Sequence, residues 1–186
     1  MMKVFEYKWT KTKGLNLFIC LFIASASVYA LQSTQVDNKG SKAGFSGNHV
    51  GMQFNGEFEK WQATLVLPPQ SNPSVTATFD LTSAKTGDFT YDSTLPEGDW
   101  FDVQNHPQGS FVSDTVEPVD GGYKVSGKLT LRGVSKTQTF ILKQAGNKLA
   151  AEFVINRLDY AIGFESDPQA EWVDKDITIT LNLGLN

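Results

Sequence analysis

The sequence predicts an all-β domain, an antiparallel barrel in preference to a sandwich, and three observations predict it. Apolar and polar residues alternate with period two along most of the chain from residue 33 onward, the pattern of strands with one buried and one wet face. Turn signals cut this alternation at short intervals into about seven to nine strands. Residues 43–58 scatter Gly44, Gly47, Gly51 and Gly56 among Phe45, Val50, Met52, Phe54 and Phe58. Glycine within a strand marks a sharp bend or a close approach, which is how a sheet curls shut. Closure also removes exposed strand edges.

Ahead of the first strand, Lys3, Lys8, Lys11 and Lys13 precede an apolar run over residues 15–26 that closes on Ser27-Val28-Tyr29-Ala30. A basic start, a short apolar stretch and a small-residue end read as a secretory signal peptide, residues 1–30, cleaved after Ala30. The run is shorter than the roughly 20 residues a membrane span needs, so stable membrane insertion is not expected. The one cysteine, Cys20, lies in this run behind the bulky Phe18-Ile19 pair, where a lipid-modified signal would carry small residues. The remaining domain, residues 31–186, therefore has no thiol, which excludes disulfides, thiol catalysis and thiolate metal sites. Of 16 basic and 20 acidic residues, four Lys and Glu6 fall in the signal segment, leaving 12 against 19 and a net charge of −7. A domain that acidic does not track phosphate backbones, and no nucleic-acid partner is expected.

The strands read as follows. Trp61, Ala63, Leu65 and Leu67 form the second inward row, and Val75, Ala77, Phe79 and Leu81 the third, alternating with Thr76, Thr78 and Asp80. Tyr123, Val125, Leu129 and Leu131 alternate with Lys124, Ser126, Lys128 and Thr130, and Leu149, Ala151, Phe153 and Ile155 repeat the theme. Ile177, Ile179, Leu181 and Leu183 close the series against Asp176, Thr178, Thr180 and Asn182. Between them stand residues 68–73 (PPQSNP), Asp120-Gly121-Gly122, Arg132-Gly133, Gly146-Asn147 and Ser166-Asp167-Pro168, all turn formers.

Residues 98–113, GDWFDVQNHPQGSFVS, break the pattern. Trp100, Phe101 and Phe111 are mixed with Asp99, Asp102, His106, Pro107 and Gly109, which fits neither an amphipathic helix nor a clean strand. The spacing predicts one or two broken helical turns within residues 88–102, a short turn capped by Asp99, an irregular crossing at His106-Pro107, and strand from Ser110. Aromatic rings on an irregular segment need a surface to pack on, so this stretch reads as a lid on the barrel.

Chemistry-bearing groups are sparse. His49 and His106 are the whole imidazole supply and show no metal-ligand spacing, so no metal is expected. Residues 44–47, GFSG, have the wrong spacing for a nucleophile elbow, and no glycine-rich phosphate loop precedes a helix. Asp88, Asp92, Glu97, Asp99 and Asp102 lie along one polar segment, where solvation and capping explain them. Neither catalysis nor a cofactor is called for. The 13 Phe and 4 Trp either fill the barrel or line a cavity for one ligand. Ala77, Gly127, Ala151, Ala161 and the early glycines favour space being left.

Four blocks resemble the YceI-like family of exported lipid- and polyisoprenoid-binding proteins, and the resemblance runs from about Gln35 to Leu185. Phe45, His49, Gly51, Gly56 and Phe58 answer its F-x-x-x-H-x-G-x-x-x-x-G-x-F run. Asp99, Trp100, Phe101, Asp102, Pro107, Phe111 and Ser113 answer D-[FW]-F-D…P…F-x-S. Residues 127–136, GKLTLRGVSK, are close to G-x-L-T-[IL]-R-G-V-[ST]-K, and residues 156–163, NRLDYAIG, to R-x-D-[FY]-G-I-G. Two positions depart from the pattern. Tyr91 stands where an R-D-x-x-L run has Arg, and Ala161 replaces a glycine.

The resemblance implies a lipocalin-like antiparallel barrel around an apolar tunnel, in a non-enzymatic periplasmic protein that holds an isoprenoid or other long-chain lipid. It places Phe45, His49, Phe54, Phe58, Phe79, Trp100, Phe101, Phe111, Ile162, Phe164 and Trp172 along the tunnel or at its mouth. Trp100-Phe101 is the candidate stop or gate. A fatty acid or fatty amide is the alternative ligand, favoured if His49 or Arg157 meets its head. An envelope interaction module and a head-group enzyme are the rival classes, and a homodimer is an open expectation.

Overall fold

The computed structural model describes residues 33–37 and 39–185; the expected signal segment and cleavage point, and Cys20, lie outside the described residues. Eleven strands form one antiparallel sheet. They are β1 (Thr34–Asp37), β2 (Lys42–His49), β3 (Met52–Phe58), β4 (Trp61–Val66), β5 (Ser74–Asp80), β6 (Ala84–Lys85), β7 (Gln108–Val119), β8 (Gly122–Leu131), β9 (Val134–Ala145), β10 (Lys148–Asn156) and β11 (Asp176–Gly184). Their order across the sheet is β1-β4-β5-β7-β8-β9-β10-β11-β2-β3-β6. The fold class is the expected all-β, lipocalin-like one, but the sheet curls without closing its hydrogen-bond ladder: β1 and β6 remain as its two edges. The strand number exceeds the expected eight because two short edge strands, β1 and β6, are added. The glycine-rich first region is also two strands rather than one bent strand.

The β2–β3 turn is made by Val50 and Gly51, both at positive φ (51° and 78°). This is the two-residue geometry whose twist suits a hairpin. Arg132 (46°) and Gly133 (72°) turn β8 into β9 the same way, and the β7–β8 and β9–β10 hairpins fall at Gly121 and Gly146 as expected. Inward residues alternate along each strand: Trp61, Ala63 and Leu65 of β4 are buried while Gln62 is exposed.

The interior is rich in aromatics yet remains hollow because several rings lie flat along the wall. Phe45 faces Gly56 across the β2–β3 ladder, and Phe79 faces Gly109 across β5–β7. A Cβ at Gly56 would sit 2.3 Å from the Phe45 ring, and one at Gly109 would sit 2.0 Å from Phe79. Each glycine thus vacates the space into which a ring reclines, so the ring covers backbone instead of projecting across the barrel. Gly127, read as leaving open space, instead lies against the β7 backbone at Val112 and Ser113, with the Phe111 ring beside it.

Two long connections, residues 81–107 and 157–175, meet over one region of the sheet. The first contains α1 (Phe89–Thr94), capped by Asp88, whose carboxylate accepts from the backbone N–H groups of Thr90 and Tyr91. The helix thus opens at Asp88, and Asp99 caps nothing: it accepts from Glu165 N (2.8 Å), Ser166 N (2.9 Å) and Ser166 Oγ (2.5 Å). Gly163 N donates to Asp99 O at 2.6 Å. Arg132 donates to the carbonyls of Gly98 (2.6 Å) and Ala161. The lid expected over residues 98–113 is therefore a two-segment construction, stapled by one aspartate and one arginine.

Candidate functional site

A cavity of about 160 Å³ runs through the barrel interior. Its walls come from every strand from β2 to β11 except β6, with Leu95, Trp100, Phe101 and Ile162 supplied by the two connections. Apart from Arg157, every residue on that wall has an apolar side chain or none. Phe58 is the hub of one ring cluster, 5.3 Å from Phe45, 5.4 Å from Phe79 and 6.2 Å from Phe101 between centroids. Phe140 joins Phe111 (5.5 Å) to Phe153 (4.6 Å) on the other side.

A second pocket adjoins it, and Phe45, Phe54, Leu95, Trp100 and Val173 line both spaces. These five side chains are the partition. Beyond them the lining adds the polar residues His49, Thr86, Thr90, Tyr91, Thr94, Ser166 and Asp167 beside Trp172, although the surface presented to the space is still mostly apolar. This is the mouth. His49 Nδ1 lies 2.8 Å from Tyr91 Oη, and the two rings meet edge to face at 5.5 Å.

Under the partition sits a buried ion pair. Arg157 is 2 % exposed and Asp167 5 %, with Nη2 to Oδ2 at 2.7 Å. All five guanidinium hydrogens find acceptors. Nε reaches Asp174 O (3.2 Å), Nη1 reaches Ile162 O (2.8 Å) and Gly163 O (3.2 Å), and Nη2 also reaches Val173 O (2.8 Å). The Trp100 ring lies over the guanidinium, 5.8 Å from its carbon. Gly163, at φ +65°, leaves the room: a Cβ there would come 2.7 Å from Nη1.

Asp167 also accepts from the backbone N–H groups of Glu171 (2.7 Å) and Val173 (2.9 Å). Burial pushes its carboxyl up, but these bonds, another from Trp172 N and the Arg157 charge outweigh burial and hold it below the ordinary carboxylate value. Asp99 behaves alike: burial raises it, and its bonds from Ser166 and Glu165, with the Arg132 charge, outweigh burial and lower it. Groups with depressed folded values contribute stability above the unfolded value and lose it as pH falls through the folded one. Acid unfolding is therefore expected to set in below about pH 4, and Asp167→Asn should flatten that acid limb in denaturation curves taken from pH 6 to pH 2. An unchanged limb would show that other carboxylates govern it.

Of the residues singled out from sequence, Phe45, Phe54, Phe58, Phe79, Trp100, Phe101, Phe111 and Ile162 line the main cavity, and His49 and Trp172 line the mouth. Phe164 lines neither and is 51 % exposed. It follows the turn at Gly163, where strand alternation no longer dictates direction. Arg157 meets carbonyls and Asp167. His106 lies 3.8 Å from Asp102 and against Gly133, away from both spaces. The sequence marks Tyr91 only as a departure from the family pattern and gives no place at the site to it, Leu95 or Val173. It leaves unassigned Leu129, Leu131, Ile155 and Ile177, whose inward alternation was already visible. Among the described residues, no group of three or more His, Cys, Asp or Glu is placed to hold a metal ion, and no helix is long and apolar enough to cross a membrane.

A curled antiparallel sheet wrapped around an apolar cavity, with a mouth between two stapled connections, defines a lipocalin-like barrel class. Comparison with known proteins narrows the class. The model of the YceI-like domain matches residues 35–185, and the chain belongs to the YceI-like family. Protein YceI of Escherichia coli is 27 % identical over 182 residues, covering 89 % of this chain and 94 % of its own. The crystal structure of BcnA from Burkholderia cenocepacia superposes with a TM-score of 0.75 at 27 % identity, over 81 % of this chain and 99 % of that one. A polyisoprenoid binding domain from Saccharophagus degradans, implicated in plant cell wall breakdown, shares the fold with a TM-score of 0.60 at 13 % identity, over 83 % of this chain and 100 % of that one.

Proposed function

We propose that this protein is exported to the periplasm and there binds and carries a long-chain isoprenoid lipid, a polyisoprenoid or quinone-like molecule. The tail occupies the main cavity and the head stays at the mouth. The cavity carries this reading: about 160 Å³ of apolar interior would cost roughly 4 kcal/mol if left unfilled, at about 24 cal/mol per Å³. Each CH₂ buried there contributes about 0.8 kcal/mol in the other direction. Membership of the YceI-like family, the basic-apolar start of the chain and the description of the Saccharophagus degradans domain support the same reading. The role is sequestration rather than catalysis, since the charged groups beside the cavity are engaged in holding the lid together.

The test is calorimetric titration of the mature chain with prenols of increasing length. Binding should tighten with each isoprene unit up to a plateau and carry a negative heat-capacity change, the mark of apolar burial. Affinity independent of tail length would overturn the reading. Trp100 belongs to the walls of both spaces, so Trp100→Ala should merge them, moving the plateau to longer tails and speeding release in a stopped-flow chase. An unmoved plateau would show that the tunnel ends elsewhere.

A further inference from the structure

The mouth pocket offers a hydrogen-bond donor but no available cation. His49 and Tyr91 are bonded to each other at 2.8 Å. A neutral imidazole and a phenol own two polar hydrogens between them, and their mutual bond uses one. If Tyr91 donates, the Nε2–H of His49 remains; if His49 donates, the Oη–H of Tyr91 remains. One neutral donor is left under either tautomer, on side chains that both line the mouth.

Positive charge is a different matter. The mouth lining contains no Lys or Arg. Arg157, the one cation on the main cavity wall, has every N–H engaged by Asp167 and backbone carbonyls. Lys85 lines neither space and stands 4.0 Å from Asp92. Asp167 lines the pocket, and Asp92 accepts from Thr86 on its wall (2.6 Å and 2.9 Å). An anionic head would therefore give up hydration with no free Lys or Arg to meet it, since Arg157 is already committed to Asp167 and Lys85 stands by Asp92, an unfavourable exchange. An uncharged oxygen acceptor meets only the spare donor.

We infer that the mouth pocket is a head-group filter. It accepts long-chain lipids with an uncharged oxygen-bearing head through the His49–Tyr91 pair, and it turns away phosphate and carboxylate heads. This rests on the tail occupying the main cavity. It also removes one reason to favour a fatty acid, because Arg157 has no hydrogen left to offer a carboxylate. A fatty amide, whose head is uncharged, passes the same filter at His49.

The experiment compares geranylgeraniol with geranylgeranyl monophosphate, two ligands with the same tail, in equilibrium titrations of the mature chain at neutral pH. The wild type should bind the alcohol at least about tenfold more tightly than the phosphate. Tyr91→Phe keeps the ring against Phe54 and His49 and leaves the imidazole N–H as a donor, so it should change alcohol binding little. Tyr91→Phe together with His49→Phe removes both donors and should weaken alcohol binding about fivefold while leaving phosphate binding unchanged. Tyr91→Arg should abolish or reverse the preference. Equal affinities in the wild type, or tighter phosphate binding, overturn the filter while leaving the tail reading intact. Unchanged alcohol binding in a folded His49→Phe, Tyr91→Phe double variant overturns the role of the pair. Binding of neither ligand overturns the isoprenoid reading itself, and the filter with it.

Discussion

Replacing Arg157 with Met should remove about 3–5 kcal/mol of folding free energy, the range for breaking a buried ion pair from one side. The guanidinium and the Asp167 carboxylate are both almost wholly shielded, so screening offers no relief. The substitution strands the Asp167 charge and unpairs the carbonyls of Ile162, Val173 and Asp174, while Gly163 O keeps only its bond from Asp167 N. The neighbourhood is irregular backbone, whose order comes from these bonds rather than from a ladder. Lys is no remedy, because a point charge cannot replace a five-donor planar fork. Removing both charges, in Arg157→Met with Asp167→Leu, should recover only part of the loss. The N–H groups of Glu171, Trp172 and Val173 that Asp167 now satisfies would then be left without acceptors. Urea unfolding of the three proteins measures this. A single-variant loss under about 1 kcal/mol would mean that the pair does not organise the lid.

Ala77→Phe should lower lipid affinity at least about a hundredfold while leaving the fold as stable as before or stabilising it by about 0.5–2 kcal/mol, as cavity-filling changes do. Ala77 of β5 lines the main cavity, opposite Ala63 of β4 on one side and Phe111 of β7 on the other. The small pair Ala63–Ala77 is where the wall recedes. A cavity of about 150 Å³ accepts benzene, so a benzyl group at position 77 takes much of the room a tail would use. Parallel calorimetric titrations and melting curves separate the two effects. A folded variant that binds prenols like the wild type would show that the ligand lies elsewhere.

Much of the fold was legible in the sequence because it depends on local pattern. Rows such as 61-63-65 and 177-179-181 follow period two, and the hairpins at Gly121, Gly133 and Gly146 follow turn chemistry. The Val50-Gly51 hairpin was not legible: a β-branched residue at positive φ goes against local preference, and tertiary pairing of β2 with β3 overrides it. The rings expected at the tunnel mostly reach it, because inward strand positions have no other place to go. Phe164 does not, since a residue after a left-handed glycine obeys no strand period. The relations that shape the mouth were hidden for another reason. His49 and Tyr91 stand 42 residues apart, Asp99 and Ser166 67 apart, and neither pairing has a sequence period to betray it. Arg157 was visible as a charge, but only its surroundings show it to be a strut rather than a ligand contact.

The central claim is that the cavity holds an isoprenoid lipid in the cell. Native mass spectrometry of the protein released from its own cell envelope, followed by solvent extraction of the same preparation, tests it most directly. The account predicts a population heavier than the polypeptide by several hundred daltons, whose extract contains a prenyl chain, and the same population should be missing from Ala77→Phe. Protein that is repeatedly found at its bare polypeptide mass, and that resists loading with long prenols, would contradict it.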